Sequence, residues 1–181
     1  MDSKKLLVVV DMQRDFVDGV LGSKEAASVV NGIVSKVANT EMVIFTFDTH
    51  NEDYLNTQEG KNLPVKHCIR GTDGHRLVPE LEAYKDRCFT VEKYTFGSVQ
   101  LGLFVTEQFM KGTIDSVELV GVCTDICVIS NAMVIKAFCP ETPVMVDAAC
   151  CAGVTPESHN NALNAMKACQ IEILNMEESH D

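Results

Sequence analysis

The sequence predicts an α/β protein in three layers, α/β/α, built on a doubly wound, six-stranded, mainly parallel sheet. Two observations carry that prediction. Short apolar runs of strand length alternate along the chain with longer segments of helical spacing. The runs are apolar at almost every position, as strands covered on both faces must be. No repeat, low-complexity tract or linker interrupts the alternation, so residues 1–181 read as a single domain.

The first strand is Lys5-Leu-Leu-Val-Val-Val10. Residues Ala26 to Ala38 form a helix, with Val29, Val30, Ile33, Val34 and Val37 on one side. Met42 to Phe47 is the second strand and Cys88 to Val91 a short third. A helix over Leu101–Met110 leads to the fourth strand, Val117–Gly121. The segment Asp125–Phe138 reads as the next helix, and Thr142–Val146 as the fifth strand. Pro156–Cys169 is a helix with proline placed in its first turn, and Ile171–Leu174 is the sixth strand. Between Asp48 and Arg87 periodicity lapses into a polar stretch rich in His, Asp, Glu and Gly. A loop of that length in a compact domain is usually functional.

Bulk properties exclude several classes. The net charge is −11 and the basic residues are not clustered, which argues against nucleic acid or an anionic membrane as partner. Lys4-Lys5 precedes five apolar residues before Asp11, too few for a signal-peptide core or a membrane span, so a cytoplasmic location is expected. The 8 cysteines then read as thiols, with Cys150-Cys151 as two packed thiols at a strand end rather than a strained vicinal disulfide. No CxxC pair suggests a zinc ribbon, and no glycine-rich turn after the first strand suggests a dinucleotide. No organic cofactor is expected.

In open parallel sheets ligands bind at the carboxyl ends of the strands. Asp11, Asp48, Lys93 and Cys127 all follow predicted strands there. Cys127 near a helix start could be a nucleophile whose thiolate the helix dipole favours, or a small buried core residue. Asp11 could exchange a proton with that thiol or cap a loop, and Lys93 could lower the thiol pKa or lie on the surface. Asp48, His50, Glu59 and His67 are either solvated loop residues or a mixed N/O ligand set for Zn²⁺, Mn²⁺ or Fe²⁺. His75 reads as solvated, His159 as structural, and His180 as part of the acidic tail.

Asp11 in DMQRDF, Lys93 in EKYTFGS and Cys127 in GVCTDICV, in that order, resemble the three signatures of the isochorismatase-like cysteine hydrolases, a superfamily that includes the nicotinamidases. The resemblance runs from about Leu6 to Leu174 and implies the isochorismatase-like, Rossmann-like fold. It implies an Asp11–Lys93–Cys127 catalytic triad, a cis peptide between Val122 and Cys123, and an oxyanion hole from the backbone N–H groups of Cys123 and Cys127. It also implies a divalent metal, zinc first, held by Asp48, Glu59 and His67, with His50 as fourth ligand or water-mediated neighbour. The expected substrate walls are Phe16 and either Tyr94 or Tyr54. Two features depart from the branch. Asn62-Leu-Pro-Val-Lys-His67 lacks an aromatic residue before the metal histidine, and Asn56 stands where some relatives carry another ligand histidine.

The implied activity is cleavage of the C–N bond of a small carboxamide through a thioester, with release of ammonia. Nicotinamide is the first candidate substrate, and an N-carbamoyl or ureido compound is the alternative. Isochorismatase chemistry fits less well, because cleaving a vinyl ether does not need the cysteine. A non-catalytic scaffold is the reading from another class, against which the intact triad argues. A homo-oligomer is compatible with all of these.

Overall fold

The computed structural model describes residues 4–176. Six strands form one sheet in which every neighbouring pair is parallel, in the order β3-β2-β1-β4-β5-β6. They are β1 (Lys5–Val10), β2 (Met42–Asp48), β3 (Phe89–Lys93), β4 (Ser116–Val122), β5 (Val144–Ala152) and β6 (Glu172–Leu174). The helices are α1 (Arg14–Val17), α2 (Lys24–Ala38), α3 (Gln58–Asn62), α4 (Pro79–Glu82), α5 (Val99–Met110), α6 (Ile129–Phe138) and α7 (Pro156–Ala168). Among the described residues no helix is long and apolar enough to cross a membrane.

The alternating side chains of β1 divide the core in two. Leu6, Val8 and Val10 pack with Leu101 and Val105 of α5, Ala132 and Ile135 of α6, and Leu163 and Met166 of α7. Leu7 and Val9 pack with Ala26, Val29, Val30, Ile33 and Val37 of α2 on the opposite face. Both faces are covered, which is why β1 has no polar position after Lys5. Ser23 caps α2 by accepting the Ala26 N–H at 3.0 Å, and Thr155 caps α7 by accepting that of Ser158 at 3.1 Å. Each cap contributes about 1 kcal/mol.

Several boundaries differ from the sequence reading. β3 runs from Phe89 to Lys93 rather than from Cys88 to Val91, so that lysine is the last strand residue rather than part of the following loop. β5 extends to Ala152 and carries Cys150 and Cys151 within it as free thiols. The long polar stretch holds short helical turns at 54–56, 58–62, 79–82 and 85–87. Each is too brief to show helical periodicity. The segment after β4 opens with a π-helical turn, Thr124–Val128, before α6 begins. His180 lies outside the described residues.

The strand order reverses direction between β1 and β4, and the crevice at such a switch point is where these sheets bind ligands. Gly121 makes the crevice possible. It pairs with Val10, has φ +117°, and a Cβ there would lie 2.1 Å from the Val10 carbonyl oxygen. Only glycine lets β4 approach β1 so closely beside Asp11.

Candidate active site

Asp11 leaves β1 at φ +49°, a left-handed conformation uncommon outside glycine and often found at functional sites. That turn aims its fully buried carboxylate across the switch point. Thr46 Oγ1 donates to Asp11 Oδ1 at 2.6 Å. Oδ2 lies 2.7 Å from Lys93 Nζ yet has no partner of hydrogen-bond geometry among the described residues, so it keeps acceptor capacity. Lys93 Nζ also lies 3.4 Å from Cys127 Sγ and 3.3 Å from Asp48 Oδ1. One buried ammonium thus joins two carboxylates and a thiol that are far apart in sequence.

Cys127 is 5 % exposed, but it lines a cavity of about 920 Å³ together with Cys123, Asp48, His50, Glu59 and His67. Cys127 faces the cavity, while Asp11 and Lys93 are not part of its lining. Asn131, fully buried and one helical turn on, holds this wall. Its Nδ2 donates to the carbonyls of Cys127 (2.8 Å) and Phe96 (3.1 Å), and its Oδ1 accepts from the Ser98 N–H (2.9 Å). Thr124 and His159 Nδ1 share a 2.8 Å hydrogen bond from α7, a structural role for that histidine. The peptide between Val122 and Cys123 is cis.

Burial pushes the Cys127 thiol well above its ordinary pKa, and the Asp11 charge adds to this while Lys93 opposes it. The helix start and the Lys93 ammonium that favour a thiolate thus act against desolvation and the Asp11 and Asp48 charges. Burial also raises the Asp11 carboxyl, against the opposing effect of Lys93. A raised pKa would make Asp11 a stronger base than an ordinary aspartate, which suits proton exchange with a thiol.

Asp48, the last residue of β2, begins a second cluster. Ligand atoms of Asp48, His50, Glu59 and His67 all lie within 4.8 Å of one another. His50 joins the cluster directly. Residues 68–70 run parallel to it, with the His50 N–H bonded to the Cys68 carbonyl (3.0 Å) and the Arg70 N–H to the His50 carbonyl (2.9 Å), which brings His67 alongside. Glu59 comes from α3, packed so tightly on the 54–56 turn that a Cβ at Gly60 would lie 2.1 Å from the Tyr54 carbonyl oxygen.

The donor set fits a divalent cation. His67 Nδ1 lies 2.8 Å from the Val65 carbonyl, which assigns a proton to Nδ1, and Nε2 faces the carboxylates; burial lowers the His67 pKa, but Asp48 and the Val65 carbonyl raise it overall. His50 Nε2 is buried 2.8 Å from Asp48 Oδ2 without hydrogen-bond geometry. Buried carboxylates call for a compensating positive charge, which protonated imidazoles or a bound cation can supply, and mixed N/O donors suit borderline divalent metals. Burial would raise Asp48, but His50, His67 and Lys93 hold its carboxyl well below the usual range. Burial and the Asp48 charge raise Glu59.

Phe16 and Tyr94 both line the cavity. Phe16 meets His67 edge-on at 5.4 Å between centroids. Tyr94 is 56 % exposed and its hydroxyl is paired with Arg70. Tyr54 is not a wall. It is buried behind the ligands, with its ring 4.6 Å from His50 and 5.0 Å from His67. His75 is not solvated either, since it is half-buried with Nε2 2.9 Å from Thr49 Oγ1, and burial lowers its pKa.

The sequence reading missed Gln13, Asp15, Thr46 and Asn131. Gln13 bonds the Asp48 backbone twice, and Asp15 Oδ2 accepts the Cys68 N–H at 2.8 Å, next to His67. Asp11, Gln13 and Asp15 alternate along one turn, and Asn131 lies four residues after Cys127 on the same helical face. Those spacings were the available signals.

The profile of the Isochorismatase domain matches residues 5–178. The chain belongs to the isochorismatase family. It is 26% identical over 184 residues to the nicotinamidase/pyrazinamidase of Mycobacterium tuberculosis, covering 94% of this chain and 98% of that protein. The pyrazinamidase/nicotinamidase of Streptococcus mutans superposes with a TM-score of 0.81 at 27% identity, over 94% of this chain and 99% of the other. The nicotinamidase/pyrazinamidase of Bacillus subtilis superposes with a TM-score of 0.79 at 26% identity, with the same coverage of 94% and 99%. The all-parallel, six-stranded sheet is that of this family.

Proposed function

We propose that the protein is a nicotinamidase: a single-domain cysteine hydrolase that converts a small aromatic carboxamide, nicotinamide first, to its acid with release of ammonia. The observation that carries this reading is the Lys93 ammonium, 2.7 Å from Asp11 and 3.4 Å from the sulfur of Cys127, a residue that lines the cavity. The names of the Mycobacterium, Streptococcus and Bacillus relatives support the choice of substrate.

In the proposed reaction Cys127 Sγ attacks the amide carbonyl carbon as its proton passes to Asp11. Lys93 stays charged, stabilising the sulfur as it becomes anionic and keeping Asp11 ionised beforehand. The backbone N–H groups of Cys123 and Cys127 receive the carbonyl oxygen, which becomes an oxyanion. Asp11 returns the proton to the amide nitrogen, the C–N bond breaks, and ammonia leaves a thioester on Cys127. Asp11 then takes a proton from water as its oxygen attacks the thioester. The carboxylic acid departs and the thiol is restored. A divalent cation held by Asp48, His50, Glu59 and His67, zinc first with manganese or iron as alternatives, would supply a Lewis-acidic anchor for a ring nitrogen. Phe16 and Tyr94 would flank the ring.

Ammonia release across a panel of nicotinamide, benzamide and N-carbamoyl amino acids tests the reading, with Cys127→Ala as control. Nicotinamide should be the best substrate and the variant inert. Turnover of an N-carbamoyl compound with nicotinamide inert would replace this reading with the carbamoyl hydrolase one.

A further inference from the structure

We propose that Gln13 is a positioning residue whose side-chain amide sets the place of Asp48, and with it the spacing between the Asp11–Lys93 pair and the metal-ligand cluster. The proposal rests on reading that cluster as a cation site.

The backbone ladder between β1 and β2 ends at the pair Val10 and Thr46. Asp11 then turns away at φ +49°. Beyond that point β1 offers nothing to Asp48, two residues further along β2. The Gln13 side chain takes the place of the missing strand. Its Oε1 accepts the Asp48 N–H at 2.7 Å, and its Nε2 donates to the Asp48 carbonyl at 2.9 Å. The second Nε2 proton goes to the His75 carbonyl, also at 2.9 Å. Both amide protons and the amide oxygen are used, and the residue is fully buried.

Asp48 is therefore gripped on both sides. Gln13 holds it from the β1 side, and its ladder partner on the other is Lys93, whose carbonyl accepts the Thr49 N–H at 2.9 Å. Its carboxylate spans the site, with Oδ1 3.3 Å from Lys93 Nζ and Oδ2 2.8 Å from His50 Nε2. A displaced Asp48 backbone would move a ligand atom and a neighbour of the catalytic ammonium together. Gln13 stands two residues after Asp11, so one short turn carries both the base and the clamp. An amide that served stability alone would leave metal affinity untouched.

The test compares Gln13→Met, which keeps the length and deletes all three bonds, with Gln13→Asn, which keeps the amide but shortens its reach. Lys36→Met, a destabilised variant remote from the cluster, serves as control. Zinc affinity is measured on folded protein by competition with a chromogenic chelator, alongside Tm and circular dichroism. The zinc dissociation constant should rise about 10–100-fold in Gln13→Met and less in Gln13→Asn, the range seen when a partner behind a metal ligand is lost. Lys36→Met should bind zinc like the wild type despite its lower Tm. Should Gln13→Met fail to fold, Gln13→Asn carries the comparison. Unchanged zinc affinity in a folded Gln13 variant overturns the proposal and leaves the cation reading intact. Failure of the wild type to bind zinc, manganese or iron overturns the cation reading and the proposal with it.

Discussion

Replacing Lys93 with methionine, similar in length and uncharged, perturbs the group that Asp11, Asp48 and Cys127 all touch. At an effective dielectric of 20, an ammonium 2.7 Å from one carboxylate and 3.3 Å from another gains roughly 6 and 5 kcal/mol of gross Coulomb energy. Desolvation of the fully buried lysine cancels much of this. The net cost of orphaning a buried partner is about 3–5 kcal/mol. Most of that cost falls on Asp11, which burial already drives toward the neutral form and which only Lys93, among its larger influences, keeps ionised. With Lys93 gone the Asp11 pKa rises further. A larger share of the carboxyl is then protonated and cannot take the thiol proton. Loss of a general base costs about 10²–10⁴-fold in rate. The assay is ammonia release from nicotinamide, as kcat/KM against pH, with Tm measured in parallel. Activity should fall by that factor at pH 7 and recover in part as pH rises, because ionised Asp11 returns. A folded variant within about tenfold of wild-type activity at pH 7, with an unshifted pH profile, would refute the reasoning.

Three further outcomes follow from the same contacts. Asn131→Ala strips three hydrogen bonds from buried backbone groups around Cys127, and should cost about 3 kcal/mol of stability by denaturant unfolding while lowering kcat more than KM. Lys36→Met removes the ammonium 2.5 Å from buried Glu118 and 2.6 Å from Asp147. Lys5 and Asn175 remain as partners, so the loss should be about 2 kcal/mol, or roughly 4–8 °C in Tm, with kcat unchanged. Gly121→Ala combines φ +117° with a 2.1 Å approach to Val10, and soluble expression should be lost.

The sheet was legible because burial on both faces forces its strands to be apolar throughout, and Leu6 to Val10 shows this without any partner in view. That Asp11, Lys93 and Cys127 converge was legible because each follows a predicted strand, where a parallel sheet gathers its ligands, but their reading as a triad came from the resemblance of DMQRDF, EKYTFGS and GVCTDICV to the family signatures. The amide clamps were not. Gln13 finds Asp48 at a separation of 35 residues, and nothing in DMQRDF says which backbone its side chain will meet. Asn131 likewise reaches Ser98 across 33 residues. The forces that oppose the thiolate were not legible for the same reason. A helix start is a local feature, while the carboxylates that act against it come from β1 and β2. His75, read as solvated, and Tyr54, offered as a substrate wall, are packed instead because short turns fold the polar stretch back on itself.

Rapid acid quench of the enzyme during turnover of nicotinamide, followed by intact-mass and peptide-mapping mass spectrometry, tests the nucleophile directly. One acyl group should accumulate, attached to Cys127 and to none of the other cysteines. Steady turnover by Cys127→Ala, or an acyl group mapping to another residue, would contradict the account.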